Sequence, residues 1–154
     1  MKRTIFIIAF IFVFNTTLML AADQAPKNKK TTKSYLTYLD SSAEEQAVLK
    51  AINFALEKKD SKAIPKIITL LQDERTIVRL KSCVALGELK SKEAIDVLNK
   101  IVLEDDSSDV RYASLLAIIK IGSDKSGRTL QKLKAQEKDP IIKDFLAKME
   151  KKLK

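Results

Sequence analysis

The sequence predicts an all-α fold: a short α-solenoid of about three helix pairs preceded by one N-terminal helix. Three observations predict it. Gly and Pro occur only three times each in 154 residues, too few for the tight turns of a sandwich or barrel. Lys, Leu, Ile, Ala and Glu dominate instead, and most of these are good helix formers. Apolar residues recur at spacings of three and four through segment after segment, the stripe of an amphipathic helix. Finally, the chain repeats itself: Val78-Arg79, Val110-Arg111 and Ile142-Lys143 stand 32 residues apart.

The elements follow in chain order. Residues 1–22 place Lys2 and Arg3 before a ten-residue apolar run, Ile5 to Phe14, and end in Leu20, Ala21 and Ala22. This basic, apolar, small-residue order is that of a secretory signal peptide. The alternative is an uncleaved N-terminal anchor, since the whole stretch barely suffices to span a bilayer. Residues 23–40 are expected to be a flexible basic linker, because Asp23 to Ser34 has four Lys and no apolar period. Residues 41–154 form the repeat domain, with units at approximately 41–59 (partial), 61–90, 92–122 and 124–152. Glu45 to Lys58 reads as an amphipathic helix, with Ser42 and Glu45 as a capping box. Ser61 is expected to cap the next helix, and Pro65 falls in its first turn, where a missing N–H does no harm. Asp139-Pro140 opens the last helix in the same way.

Within each unit a first apolar stretch leads to an acid, and six residues after the acid comes a basic residue: Asp73 to Arg79, Asp105 to Arg111, Glu137 to Lys143. A second stretch follows in phase: Ser82, Ala85, Leu86 and Leu89, then Ser114, Ala117, Ile118 and Ile121. Gly87 and Gly122 fall near the ends of these stretches. One helix pair cannot bury its apolar face alone, so the pairs must stack. The final helix ends in a charged Glu150-Lys-Lys-Leu-Lys tail, as a cap facing water requires.

The pattern in residues 63–122 resembles the HEAT-repeat family, in particular the short bacterial HEAT-like repeats also found in phycobilin lyases. It extends more weakly to 127–152 and marginally to 42–59. The resemblance implies that Asp73, Arg79, Asp105 and Arg111 link successive repeats in a ladder of ion pairs, with Glu137 and Lys143 as its weaker continuation. It also implies that the second helix of each unit lines a concave face. There the chain is expected to expose Lys81, Glu88, Tyr112, Lys120 and Lys143. Tyr112 stands where the first unit has Leu80 and offers apolar area with a polar tip; packing between repeats accounts for it equally well.

Chemistry is scarce. The chain has no His, which removes the usual base of a nucleophilic triad and the usual zinc ligand. Its single Cys, Cys83, is in phase with Leu115 and Ala147 and reads as a buried thiol. No phosphate-binding glycine loop is present. Glu104, Asp105, Asp106 and Asp109 are expected at an inter-helix turn, where acids cap a helix; no metal site and no cofactor are expected. Without residues 1–22 the chain keeps 27 basic against 20 acidic residues, a net +7. Only five of the full chain's 29 basic residues are Arg, the side chain suited to specific phosphate recognition. The expected role is therefore an exported, periplasmic or secreted, non-enzymatic module that binds a protein or peptide. The alternatives are a polyanion-binding repeat protein and a small exported lyase-like helper. A nucleic-acid partner is disfavoured by export, and membrane contact follows only if residues 1–22 are retained.

Overall fold

A computed structural model describes residues 35–153; the expected signal segment and most of the expected linker lie outside them. Seven α-helices and no strand occur among the described residues: α1 (Glu45–Lys58), α2 (Ile64–Thr69), α3 (Thr76–Glu88), α4 (Ile95–Glu104), α5 (Ser108–Ile121), α6 (Gly127–Gln136) and α7 (Pro140–Leu153). The pairs α2–α3, α4–α5 and α6–α7 are the three units, and α1 precedes them. The fold is the all-α solenoid that the sequence predicts.

Two layers result. The first helices form one, with α4 against α6; the second helices form the other, with α1 against α3 and α3 against α5. The most extensive packing is between α3 and α5. Between the layers runs one continuous core, from Leu39, Ile52 and Ile67 through Leu86, Leu98, Leu115 and Ile118 to Leu133 and Ile142. Gly87 is needed at the α3–α5 crossing: a Cβ there would lie 2.8 Å from the Cα of Ala117.

Helix ends explain the units' lengths. α2 closes in a 3-10 turn, Leu70–Gln72, because the first unit has one residue fewer than the second from the start of its first helix (Ile64 against Ile95) to its acid (Asp73 against Asp105). Tightening the last turn keeps both Leu70 and Leu71 buried. α1, α3 and α5 each give way to a left-handed residue: Lys59 (φ 49°), Lys90 (φ 51°) and Gly122 (φ 70°). Gly122 thus matches Lys90 in register, whereas Gly87 lies inside α3; the two glycines serve different purposes.

Three expectations are corrected. Residues 35–40 are not linker: Tyr35–Tyr38 forms a 3-10 turn, with Tyr35 and Leu39 buried. Leu39 stands 32 residues before the equally buried Leu71, so this turn is the remnant of a first helix and α1 is its second. The Tyr35 ring packs on Phe54 at 4.8 Å, and its hydroxyl donates to Asp60 Oδ2 at 2.6 Å. Ser42 and Glu45 form no capping box; Glu44 is the N-cap of α1 and makes no side-chain bond, because Ser42 Oγ is turned back to Asp40 Oδ1 at 2.6 Å. Ser61 does not cap α2 either. The N-cap of α2 is Ala63, without a side-chain bond, and Asp60 instead caps the 3-10 turn Ser61–Ala63 ahead of it, accepting from the Lys62 N–H at 3.0 Å. Pro65 does lie in the first turn of α2, and Asp139 Oδ1 accepts from the Ile141 and Ile142 N–H groups to open α7.

Candidate binding groove

The turns within the units carry the molecule's most ordered charges. Arg79, on α3, spans two units. Its Nη1 donates to the carbonyls of Asp73 and Glu74 in its own turn, at 2.8 and 3.0 Å. Its Nε and Nη2 grip Asp105 in the next turn, at 2.9 and 3.1 Å. Arg111, on α5, repeats the pattern 32 residues on. It bonds the carbonyls of Asp105 and Asp106 and holds Glu137 through Nε and Nη2 at 3.0 and 2.9 Å. Asp105 Oδ1 also accepts from the Ser107 N–H, so each acid orders its own turn while it receives the arginine of the unit before. The acids' side chains are nearly inaccessible, 4% for Asp105 and 2% for Glu137. Such pairs are costly to break from one side only, because the partner stays buried and charged.

Asp73 departs from the pattern. α1 offers Ala47 where later units have arginine, so Asp73 pairs within its own turn, with Arg75 at 2.7 Å. Arg75 then reaches back to the carbonyls of Ala43 and Ser41, at 2.8 and 3.2 Å. The same two turns are joined, with the arginine supplied from the opposite side. Arg75 escaped sequence reasoning, although the missing arginine at 47 was a signal that Asp73 needed another partner. Lys143 is exposed at the position of Arg79 and Arg111. The arginine bonds hold the Asp73 and Glu137 carboxyls below their ordinary range. Arg79–Asp105 and Arg111–Glu137 are joints between units, whereas Lys100 and Glu104 stand 4.0 Å apart within α4; Asp73, Glu104, Asp105 and Asp106 line a polar hollow of about 420 Å³ beside Arg79.

The apolar open surface lies elsewhere. A groove of about 500 Å³ runs between α3 and α5, lined by Leu80, Val84, Tyr112 and Leu116, with Glu88 and Lys120 among its charged residues. Val84 and Leu116 are each 40% exposed, high for large aliphatic side chains in a core-bearing helix. They are equivalent positions of successive units, as are Leu80 and Tyr112, and Glu88 and Lys120. The last two form an ion pair across the groove, and Asp109 adds a further charge. Ile77 and Ile119 extend the exposed apolar surface along the same two helices.

Of the five residues expected on this face, Glu88, Tyr112 and Lys120 line the groove; Lys81, half-buried on α3, and Lys143, exposed on α7, do not. Tyr112 serves both readings at once. Its ring meets Phe145 of α7 edge-on, with centroids 5.5 Å apart, and it also faces the groove. Sequence reasoning missed Leu80, Val84 and Leu116, because an apolar residue at a helix's third or fourth position looks like core until the neighbouring helix is placed.

Cys83 is fully buried. Burial first, and then the charge of Asp105, push its thiol up to about 12, so it is not a nucleophile at neutral pH. Among the described residues no cluster of three or more His, Cys, Asp or Glu is placed to hold a metal ion, and no helix is long and apolar enough to cross a membrane.

A family model described as HEAT repeats matches residues 33–119 and again residues 64–147. The match begins at residue 33, just ahead of the Tyr35–Tyr38 turn, in keeping with that turn's place as a first-helix remnant. Comparison with curated proteins gives no match.

Proposed function

From the premise that the chain belongs to the HEAT-repeat family, whose repeats generally mediate protein–protein interactions, we propose that it is an exported, non-catalytic module that holds a protein or peptide on the face made by α3 and α5. The observation that carries this reading is the apolar groove of Leu80, Val84, Tyr112 and Leu116. Apolar side chains left partly exposed in a row, with charges at the margin, suit a partner that buries them. Tyr112 is anchored by Phe145, and a rigid aromatic contributes contact area at low entropic cost. The charges nearest the groove are a neutralised pair, Glu88–Lys120, and Asp109. That arrangement supports docking better than acid–base catalysis, which needs a titratable group held near the reacting atoms.

Export rests on residues 1–22, whose order of basic, apolar and small residues suits a signal peptide. Secretion or a periplasmic location follows from it; retention of the segment would instead tether the domain to a membrane. Mass measurement of the native N-terminus decides between the two: a start near residue 23 supports cleavage, and an intact Met1 overturns it.

The groove is tested by affinity capture from the source's own envelope extract with the wild-type chain and a Val84→Lys, Leu116→Asp variant. Both positions are exposed enough for the variant to keep its helical circular dichroism. A partner retained at 0.5 M salt (about the point where surface ion pairs are screened) by the wild type and lost by the variant supports the reading. Equal retention by both places the partner elsewhere and overturns it.

A further inference from the structure

The third unit differs from the other two in charge. Residues 123–154 hold ten basic and five acidic residues, whereas residues 61–122 hold ten and nine. Three of those cations fall on one line. Lys125, in the turn leading into α6, and Arg128 and Lys132, on α6, are spaced i, i+3 and i+7, which puts them on one face over about 10 Å. All three are exposed. None has a side-chain hydrogen bond or ion pair among the described residues, whereas Lys134 and Lys148 in the same unit are paired with Glu150 and Asp144. The row belongs to this unit alone. At the equivalent positions α4 and its leading turn carry Glu93, Asp96 and Lys100, and the first unit carries Lys62, Pro65 and Thr69.

We propose that the Lys125–Arg128–Lys132 face of α6 binds a linear polyanion bearing phosphate charges. Its place in the fold sets the mode. α6 packs beside α4, so an anion laid across the stack meets Glu93 and Asp96 beside Lys125 and Arg128, and a cation, Lys100, only beside Lys132; Asp124 stands at the upper end of the row. A chain of charges lies along α6 instead. Between the cations the exposed residues are Gly127 and Gln131, and Ala135 follows the last of them. The apolar side chains of α6, Leu130 and Leu133, turn inward to the core. This face therefore has nothing to insert into a bilayer, which an interfacial helix requires. It has no aromatic on which a nucleobase stacks. A phosphate polymer needs neither. The surface is on the first-helix layer, away from the α3–α5 groove, so both can be occupied together.

The test uses the full chain and short inorganic polyphosphate, followed by titration across a salt series. The wild type is expected to bind at low salt with a log–log salt slope of about −2, as three neutralised charges on a single strand give. The variant Lys125→Glu, Arg128→Glu, Lys132→Glu should weaken binding by about tenfold or more, and the equal charge change Lys62→Glu, Lys66→Glu, Lys90→Glu by less than about threefold. If the first variant melts early, Arg128→Gln with Lys132→Gln replaces it and should reduce the slope by about one or more. Three results overturn the proposal: no binding at low salt, equal weakening by the two triple variants, or tighter binding to phosphatidylglycerol vesicles than to polyphosphate through these same residues.

Discussion

The two ends of the stack are closed by opposite means. At the N-terminal end material is added: the Tyr35–Tyr38 turn lies over α1, Leu39 is buried, Tyr35 rests on Phe54, and the Lys58 ammonium stands 5.5 Å from the centre of the same ring. At the C-terminal end apolar surface is taken away. Val102, Leu115 and Ile118 are buried in the second unit, and 32 residues on stand the exposed Lys134, Ala147 and Glu150, with Lys134 and Glu150 paired. A repeat stack needs a polar outer face at each end. A cover achieves this only while it stays docked, whereas a polar substitution achieves it by composition. The first end should therefore be sensitive to mutation and the second tolerant.

The sharpest way to break that contrast is to cut the cover. Leu39→Ala removes a buried side chain and is expected to lower stability by about 3 kcal/mol, while Ala147→Leu at the far end should change it by less than about 0.5 kcal/mol. Urea denaturation of both variants measures the difference; equal losses would mean that the ends are equivalent. Next comes the ladder between them. Arg111→Ala strands the buried Glu137 and should cost about 2–3 kcal/mol. Lys143→Ala, at the same register position but exposed, should lie within about 0.5 kcal/mol of the wild type by the same measurement.

pH separates the two ends further. Burial, then the bond to Asp60, raises the Tyr35 phenol above its ordinary 10.0. Its contribution is full below pH 10 and is lost as pH rises through the raised folded value. Glu137 is shifted the other way, below its ordinary 4.5, first by the Arg111 hydrogen bond. That contribution is full above pH 4.5 and is lost as pH falls through the lowered folded value. Thermal melts across pH should show Tyr35→Phe less sensitive to alkali than the wild type, with Glu137→Gln less stable at neutral pH and less sensitive to acid. Parallel profiles for wild type and variants would remove both assignments. The smallest effect concerns the left-handed helix ends: Gly122→Ala should cost about 1 kcal/mol, and Lys90→Gly should gain about 0.5–1 kcal/mol. Opposite signs in thermal melts are the outcome to look for.

Much of the fold was legible because two periods coincide in the sequence. Spacings of three and four define each helix, and the 32-residue interval from Val78-Arg79 to Val110-Arg111 and Ile142-Lys143 defines how helices recur. The caps were less legible. Ser42 and Ser61 have the right chemistry for helix starts, but Asp40 and Asp60 compete for the same backbone and side-chain groups and win. Lys59 and Lys90 gave no warning of left-handed backbone, since lysine carries no such preference. Tyr35 and Leu39 were read as linker because a four-residue turn is too short to display a helical period. The groove residues Leu80, Val84 and Leu116 were hidden by the same logic that revealed the core: periodicity says which face of a helix is apolar, not how much of that face a neighbour covers.

The sequence by itself determined the helices, their pairing into units, the absence of His and the charge excess of the last unit, because these depend on local order and composition. Tertiary structure alone decided which apolar positions stay open, that Arg79 and Arg111 reach forward while Arg75 reaches back, and that the α6 cations stand beside Glu93 and Asp96. Each of these depends on where a second helix lies, and that position is set by packing, down to the absence of a Cβ at Gly87 where α3 meets Ala117.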